Sequence, residues 1–143
     1  MKYLIFFLFP VLFSKPNSCN SNAKKTTKSE IQSIKHEKFF ITTLNKINVS
    51  KEKLYIIFND ENNTVSGFSG CNTYSSKYTN NKDHISFEHP ISTKMYCERN
   101  TVIEKSFFKN LIQSKIIVLK QDSLFLKDTN NAILFKGILS SKD

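Results

Sequence analysis

Glycine and histidine are scarce in this chain, tryptophan is absent, and common catalytic motifs are also absent. The 143 residues include three glycines, three histidines and no tryptophan. There is neither a P-loop nor a G-x-S-x-G nucleophile motif. The segment from His84 to His89 is one residue longer than an H-x-x-E-H zinc motif, and on a strand its two histidines would face opposite sides. We therefore expect no metal site, no cofactor and no catalytic residues, and hence a protein that is not an enzyme.

The chain also lacks an apolar run long enough to span a membrane. Tyr3 to Phe13 is apolar over eleven residues apart from Pro10, whereas a spanning helix needs about 20. With a lysine before it and Ser18-Cys19 after it, the run is typical of a bacterial lipoprotein signal, although Pro16 stands where the lipobox usually has an apolar residue. We predict a signal peptide over residues 1–18 and lipid attachment at Cys19. The alternative is cleavage without lipidation.

Residues 19–37 are polar, rich in lysine and nearly free of aromatics. Such a segment buries too little apolar area to offset its ordering entropy, which predicts a flexible tether. The alternative is a short amphipathic helix from Glu30 to Lys38, with Ile31 and Ile34 on one side. Together with the signal, this region predicts a protein of the cell envelope. We expect it to be lipid-anchored to a bacterial membrane, on the periplasmic or surface side of the outer membrane.

The positive charge of the chain is spread along its length. The formal net charge is +9 and falls to +7 when Lys2 and Lys15 leave with residues 1–18. The remaining lysines are scattered, and no recognised nucleic-acid motif is present. We expect no nucleic-acid partner, and only a weak, salt-screened attraction to anionic lipid headgroups.

Residues 38–143 have the size of one ordinary domain, and their pattern is mainly that of strands. Runs rich in aromatic and β-branched residues alternate with polar turns. Leu54 to Phe68 is expected to form a hairpin, and the last three runs an antiparallel meander, because their connections are short. The predicted strands are Phe39–Leu44, Lys53–Phe58, Thr64–Phe68, Thr73–Thr79, His84–Glu88, Lys115–Lys120, Ser123–Lys127 and Ala132–Lys136.

Residues 101–112 have a helical period instead. Ile103, Phe107, Phe108 and Leu111 fall on one helix face. Thr101 followed by Glu104 three positions later predicts a capping box at the helix start. The predicted fold class is therefore α+β: a mostly antiparallel, curled or partly open β-barrel-like sheet with one main helix.

Two sequence elements resemble a known family. G-F-S-G-C-N-T-Y at 67–74 and I-S-T-K-M-Y-C at 91–97, followed by a helix that carries Glu104, resemble the META domain of HslJ-like proteins over about residues 38–138. The resemblance implies a β-rich, partly open barrel with a helix, in exported proteins or lipoproteins linked to stress tolerance, and no catalytic activity. The family usually has a tryptophan in its first strand, where this chain offers Phe39 or Phe40.

The residues of these elements are interpreted mainly as structural. Gly67 and Gly70 flank one predicted bend, where glycine allows a bulge or sharp kink. Asn72 at the bend and Thr93 before the helix are expected to satisfy backbone groups. A binding role for the same residues is the alternative. Tyr74, Met95 and Glu104 complete the set that the resemblance marks.

Cys71 and Cys97 are the only cysteines of the predicted domain. In an exported protein such a pair is expected to form a disulfide. The bridge would close a loop of 26 positions, and chain entropy gives it a stabilisation of roughly 3–4 kcal/mol. The alternative is two buried free thiols. Since either arrangement accounts for both cysteines, we do not expect a cysteine–histidine nucleophile pair.

Two non-enzymatic functions fit these observations. The first is a stress-related binding or interaction module that docks on another envelope protein through a strand edge or the helix. The second is a carrier of lipid or a small apolar ligand inside the barrel. The thirteen phenylalanines would line such a cavity, unless they form a packed core.

Overall fold

The computed structural model describes residues 36–98 and 100–140. The predicted signal peptide, Cys19 and the predicted tether up to residue 35 lie outside the described residues, as do Ile31 and Ile34 of the alternative helix. The first strand begins at Lys38, where the predicted domain begins.

The described chain folds into ten strands and one α-helix, with a 3-10 turn at Ser50–Glu52. The helix α1 is Thr101–Gln113. The strands are β1 Lys38–Leu44, β2 Ile47–Asn48, β3 Tyr55–Asn59, β4 Thr64–Phe68, β5 Thr73–Asn81, β6 His84–Phe87, β7 Ile91–Ser92, β8 Ile116–Lys120, β9 Ser123–Lys127 and β10 Ile133–Leu139.

Eight of the strands form a closed antiparallel barrel. Neighbours around the ring are β10, β9, β8, β6, β5, β4, β3 and β1, and β10 pairs back with β1. The sequence predicted a curled or partly open sheet. The prediction of a partly open barrel is wrong, because the ring is closed. The ring closes because β10 continues to Leu139, three residues beyond the predicted run, and pairs with β1 from Phe39↔Leu139 to Leu44↔Phe135.

The narrowest join of the barrel lies between β6 and β8. Its ladder consists of the single pair His84↔Ile116. Two backbone hydrogen bonds hold it, from Ile85 N to Lys115 O at 3.0 Å and from Ile117 N to Asp83 O at 2.8 Å. The predicted β3–β4 hairpin and the β8–β9–β10 meander are both present.

The barrel interior is filled by side chains. Aromatic rings meet edge to face, with centroids 5.1 Å apart for Phe107 and Phe135 and 5.5 Å apart for Phe58 and Tyr78. An eight-stranded barrel is just wide enough for such filling. The buried phenylalanines of the described chain therefore form a packed core. Its fully enclosed members include Phe39, Phe58, Phe107, Phe135, Leu54, Ile56, Val65, Leu111, Leu124 and Leu126.

The helix packs across the end of the barrel where β1 and β4 finish and β5 begins. Phe107 contacts Tyr74 at the start of β5, and Asn110 accepts a hydrogen bond from Asn45 Nδ2 at 3.2 Å. The predicted apolar face is correct, since Phe107 and Leu111 are buried while Ile103 and Phe108 pack against the core. No helix in the described part of the chain has the length and apolar character needed to span a membrane.

The predicted capping box is wrong. Asn100, rather than Thr101, occupies the N-cap position, and no side chain caps the helix there. Thr101 is already helical, and its Oγ1 donates to Cys97 O at 2.7 Å. A capping box needs its hydroxyl residue at the N-cap. Glu104 is consequently one position too far along the helix for a capping box, and its carboxylate contacts Ser69 and Asn72 in the turn after β4.

Candidate functional site

The family-like residues meet at one corner of the barrel, beside the start of α1. This corner consists of the turn Ser69–Asn72 after β4, the loop Thr93–Cys97 and the first turn of the helix. Gly70 adopts φ +101°, a conformation that side chains with a Cβ rarely take. Asn100 Nδ2 donates to Gly70 O at 2.7 Å. The turn is thereby fixed to the helix start.

A disulfide joins Cys71 to Cys97, with an S–S distance of 2.10 Å and Cα atoms 5.8 Å apart. This confirms the predicted bridge and excludes the alternative of two free thiols. Cys71 is buried in the turn and Cys97 is half-buried at the end of the loop. The bridge thus fastens the loop Thr93–Cys97, which has no regular secondary structure of its own, to the body of the barrel.

Asn72 uses both ends of its side-chain amide to hold that loop. Its Oδ1 accepts from Thr93 Oγ1 at 2.7 Å and from Met95 N at 2.8 Å. Its Nδ2 donates to Met95 O at 3.3 Å and to Glu104 Oε2 at 3.1 Å. An amide offers two donors and two acceptor lone pairs, and Asn72 uses all of them. The sequence predicted a role at the bend, whereas the side chain fixes the neighbouring loop.

Glu104 supports Asn72 from the first turn of α1. Its Oε1 accepts from Asn72 N at 3.2 Å and lies 2.6 Å from Ser69 Oγ. Ser69 Oγ also lies 2.8 Å from Asn72 O, and since a hydroxyl has one proton it donates to only one of these two acceptors. A negative charge in the first turn also suits the helix dipole.

Ser69 and Asn100 are the corner residues that sequence reasoning missed. Both are polar, and Ser69 is fully buried. Ser69 stands inside the G-F-S-G-C-N-T-Y element, so its place there was the available signal. For Asn100 the signal was weaker, because only its position next to the helix start distinguished it.

Above this buried polar network the corner exposes apolar side chains. Met95 is 62% exposed, Tyr96 87% and Val102 77%. Both backbone polar groups of Met95 are bound by Asn72, so its main chain is held while its side chain faces outward. The resemblance marked Met95, and the structure places it on the surface.

Gly67 and Tyr74 lie near the corner but serve the barrel wall. Gly67 pairs regularly with Ile56 and Tyr74, so the predicted bend does not reach it. A Cβ at Gly67 would stand 2.0 Å from Tyr55 O, and this close approach requires glycine. The Tyr74 ring packs on Phe107 and Phe108. Its hydroxyl has no hydrogen-bond partner among the described residues, and burial raises its pKa well above the ordinary value.

The histidines of the strand region do not assemble a ligand set. His84 is exposed and lies 3.9 Å from Asp83, and His89 is exposed in the stretch between β6 and β7. Within residues 36–98 and 100–140, no group of three or more potential metal ligands is found.

The model of the META domain family matches residues 31–137. This chain belongs to the META domain family. No curated protein matches it.

Solved structures share the fold at low sequence identity. An NMR structure of a protein from Burkholderia xenovorans has a TM-score of 0.61 and 16% identity, covering 78% of this chain and 87% of its own. Another NMR structure has a TM-score of 0.57 and 20% identity, covering 72% and 89%. A DUF4847 family protein from Bacteroides vulgatus has a TM-score of 0.54 and 11% identity, covering 76% and 95%. These similarities establish the barrel architecture alone.

Proposed function

We propose that this META domain protein is a non-enzymatic lipoprotein of the cell envelope that serves in stress tolerance as an interaction module. Its docking surface is the apolar top of the corner, formed by Met95, Tyr96 and Val102. The observation that carries the proposal is that apolar side chains are exposed on a loop whose backbone is held by hydrogen bonds and a disulfide. Envelope location and stress tolerance rest on the apolar N-terminus and on the family resemblance.

A fixed loop that exposes apolar side chains is well suited to binding another protein. Association costs free energy when side chains and loops must be ordered, and a preorganised loop lowers that cost. Aromatic residues and methionine are enriched at interfaces. The disulfide and the Asn72 amide hold the loop in place before any partner arrives. The bridge also suits an oxidising compartment.

Carriage of an apolar ligand inside the barrel, the alternative function, finds no supporting observation. The interior is occupied by aromatic and aliphatic side chains that are almost fully buried. Copurification of a lipid with the domain, detected by native mass spectrometry, would revive that alternative.

Photo-crosslinking in cells tests the interaction proposal. A photoreactive amino acid replaces Tyr96 in one variant and Ile47 in a control. Ile47 is an exposed apolar residue on β2, outside the corner. We expect an adduct of discrete mass with one envelope protein from position 96 and none from position 47. No adduct from position 96, or the same adducts from both positions, would refute the proposed surface.

The anchor is tested separately. Intact mass of the membrane-extracted protein should show a chain that begins at Cys19 and carries a diacyl or triacyl adduct. An unmodified chain that begins at another residue would contradict the lipoprotein part of the proposal and leave the interaction surface untouched.

A further inference from the structure

Four apolar side chains form a continuous row across the outer wall of the barrel. Phe40 on β1 is opposite Ile138 on β10 and Tyr55 on β3, and Tyr55 is opposite Phe68 on β4. Their inward-facing neighbours, such as Phe39 and Ile56, are buried, so alternation along the strands turns these four outward. We call Ile138, Phe40, Tyr55 and Phe68 the outer ladder.

The three aromatic rings of the ladder are neighbours, and the ladder is partly exposed to solvent. Ring centroids are 6.3 Å apart for Phe40 and Tyr55 and 6.4 Å apart for Tyr55 and Phe68. Phe40 remains 40% exposed and Ile138 46%. Neighbouring apolar side chains that stay exposed on a folded surface often mark an interaction site.

The charge around the ladder is positive. Lys38 Nζ lies 4.7 Å from the Phe40 ring centroid and 4.2 Å from that of Tyr55. Lys136 lies two residues from Ile138 along β10, on the side of the ladder away from Lys38. None of the ten strands contains an aspartate or glutamate. Their charged residues are Lys38, Lys77, Lys120, Lys127 and Lys136. The acidic residues nearest to the ladder along the chain are Glu37 and Glu52, which lie before β1 and before β3 and so outside the strands.

The backbone under the ladder cannot pair with an added strand. Each of β1, β3, β4 and β10 is paired on both sides within the barrel. A protein partner that adds a strand needs a free edge, and this wall offers none. A lipid surface needs only apolar area at the depth of the headgroups and cations near the phosphates.

The chain also enters the domain at this wall. Described structure begins at His36, two residues before Lys38, and 35 residues precede it in the sequence. That segment includes the apolar run from Tyr3 to Phe13 and Cys19. The segment proposed above as the membrane anchor is followed by the predicted tether and then by β1, one of the two middle strands of the ladder.

We propose that the outer ladder, with Lys38 and Lys136 beside it, docks the barrel wall onto an anionic phospholipid surface. The rings of Phe40 and Tyr55 would sit at the boundary between headgroups and acyl chains, with the two ammonium groups reaching lipid phosphates. This contact orients the domain on the membrane and does not depend on the corner or on its protein partner.

The absence of tryptophan makes a clean test available. Phe40→Trp gives the full chain a single tryptophan, located in the ladder, and Ser86→Trp gives a matched control. Ser86 is exposed on β6, which lies four strands from β1 in either direction around the ring. Each variant is mixed with vesicles of phosphatidylcholine, with or without phosphatidylglycerol, that carry brominated acyl chains. Quenching of tryptophan emission reports contact with the lipid.

We expect at least about twofold stronger quenching for Phe40→Trp than for Ser86→Trp in anionic vesicles, and weaker quenching in neutral vesicles or high salt. Attachment through the N-terminus alone would give equal quenching at positions 40 and 86. Equal quenching of both, no quenching of Phe40→Trp, or no dependence on phosphatidylglycerol would overturn the proposal. Tyr55→Trp replaces Phe40→Trp if the latter fails to fold.

Charge reversal distinguishes the effect of the two lysines beside the ladder from the effect of the net positive charge of the protein. Lys38→Glu with Lys136→Glu, made in the Phe40→Trp chain, should reduce quenching in anionic vesicles to the level seen in neutral ones. Lys77→Glu with Lys82→Glu changes the net charge equally on β5 and its following turn, and should leave the quenching nearly unchanged. Equal loss in both double variants would overturn the specific role of the ladder.

Discussion

At the scale of single residues, Asn72 has the largest influence on the corner. It is buried, and its side chain binds the backbone of Met95, the hydroxyl of Thr93 and the carboxylate of Glu104. A side chain that both donates and accepts at these positions is required. Leucine would fill the space but leave buried polar groups unpaired, at a cost of about 1–3 kcal/mol each.

Asn72→Asp replaces the amide NH2, which supplies two donors, with a carboxylate oxygen that can only accept, and this provides a sharp test. Aspartate keeps Oδ1 for Thr93 and Met95 N, but it places a carboxylate oxygen against Glu104 Oε2 and Met95 O, which lie 3.1 Å and 3.3 Å from the native amide nitrogen. We expect a loss of about 2–3 kcal/mol in unfolding free energy, measured by chemical denaturation at neutral pH.

Glu104→Gln in the Asn72→Asp background should restore part of that loss. The glutamine amide can donate to the introduced aspartate, and its remaining oxygen can still accept from Ser69 and the backbone. A double-mutant cycle measures the coupling directly. Additive losses, with no rescue, would show that the two side chains do not interact as described.

Tyr74 illustrates a buried polar group that stabilises nothing through its hydroxyl. Because this hydroxyl has no partner among the described residues, Tyr74→Phe should leave stability unchanged or raise it by about 1 kcal/mol. The raised pKa of Tyr74 means that the folded state resists ionisation. Burial of the neutral hydroxyl therefore carries no ionisation penalty below the unfolded pKa of about 10. As pH rises above that value, the unfolded state ionises more readily and the folded state loses stability relative to it.

Tyr74→Phe should accordingly weaken alkaline destabilisation. Tyr78, whose pKa is also raised by burial and by its hydrogen bond to Asp60, remains in the variant, so some loss above a pH of about 10 should persist. Thermal melts at about pH 8 and above about pH 10 measure both effects. A marked drop in stability at the lower pH would mean that the Tyr74 hydroxyl has a partner.

At the scale of elements, the loop Thr93–Cys97 depends on ties to other parts of the chain. Reduction of Cys71–Cys97 should lower the unfolding free energy by roughly 3–4 kcal/mol, because the bridge closes a loop of 26 positions. Denaturation with and without a reductant measures this. Thiol counting on the denatured, unreduced protein should find no free thiol in the domain, and two reactive thiols would contradict the bridge.

The join between β6 and β8 should be the weakest part of the barrel. With one ladder pair and two backbone hydrogen bonds, it should open locally at a lower free energy than the wall formed by β3 and β4. Hydrogen exchange of the native protein should show faster exchange for the amides of Ile85 and Ile117 than for those of the β3–β4 hairpin. Equal protection of both regions would contradict a weak join.

Local elements were predictable from the sequence, whereas contacts between distant segments were not. Ser123–Lys127 was predicted with the limits that the structure has, and α1 began at the predicted Thr101, because alternation and helical period are local signals. Barrel closure depends on β1 and β10, which lie at opposite ends of the domain. Their register is set by packing around the whole ring.

The candidate site shows the same division. The two motif elements brought Asn72, Thr93, Met95 and both cysteines into view, and the helix pattern brought Glu104. Local reasoning assigned Glu104 to a capping box because it considered only partners three residues away. The actual partner, Asn72, lies 32 positions earlier in the chain and reaches Glu104 only once the barrel has formed.

At the scale of the whole molecule, the protein combines a packed interior with two distinct surfaces. The interior is packed, the wall at β1 carries apolar and basic side chains, and the corner presents Met95 and Tyr96 on a fixed loop. This division is what the two proposals require, namely docking of the wall on a lipid surface and binding of a protein partner at the corner. Residues that shape the corner need not touch that partner to affect binding.

We propose above all that the buried network of the corner preorganises a docking surface. The most direct test is the in-cell crosslinking yield from a photoreactive residue at position 96, compared among the native background, Asn72→Asp and Asn72→Asp with Glu104→Gln. If the network contributes about 1.4 kcal/mol to loop order, the yield should fall about tenfold in Asn72→Asp. It should recover in part in the double variant, at equal amounts of folded protein. An undiminished yield in Asn72→Asp, or no adduct in the native background, would contradict the account.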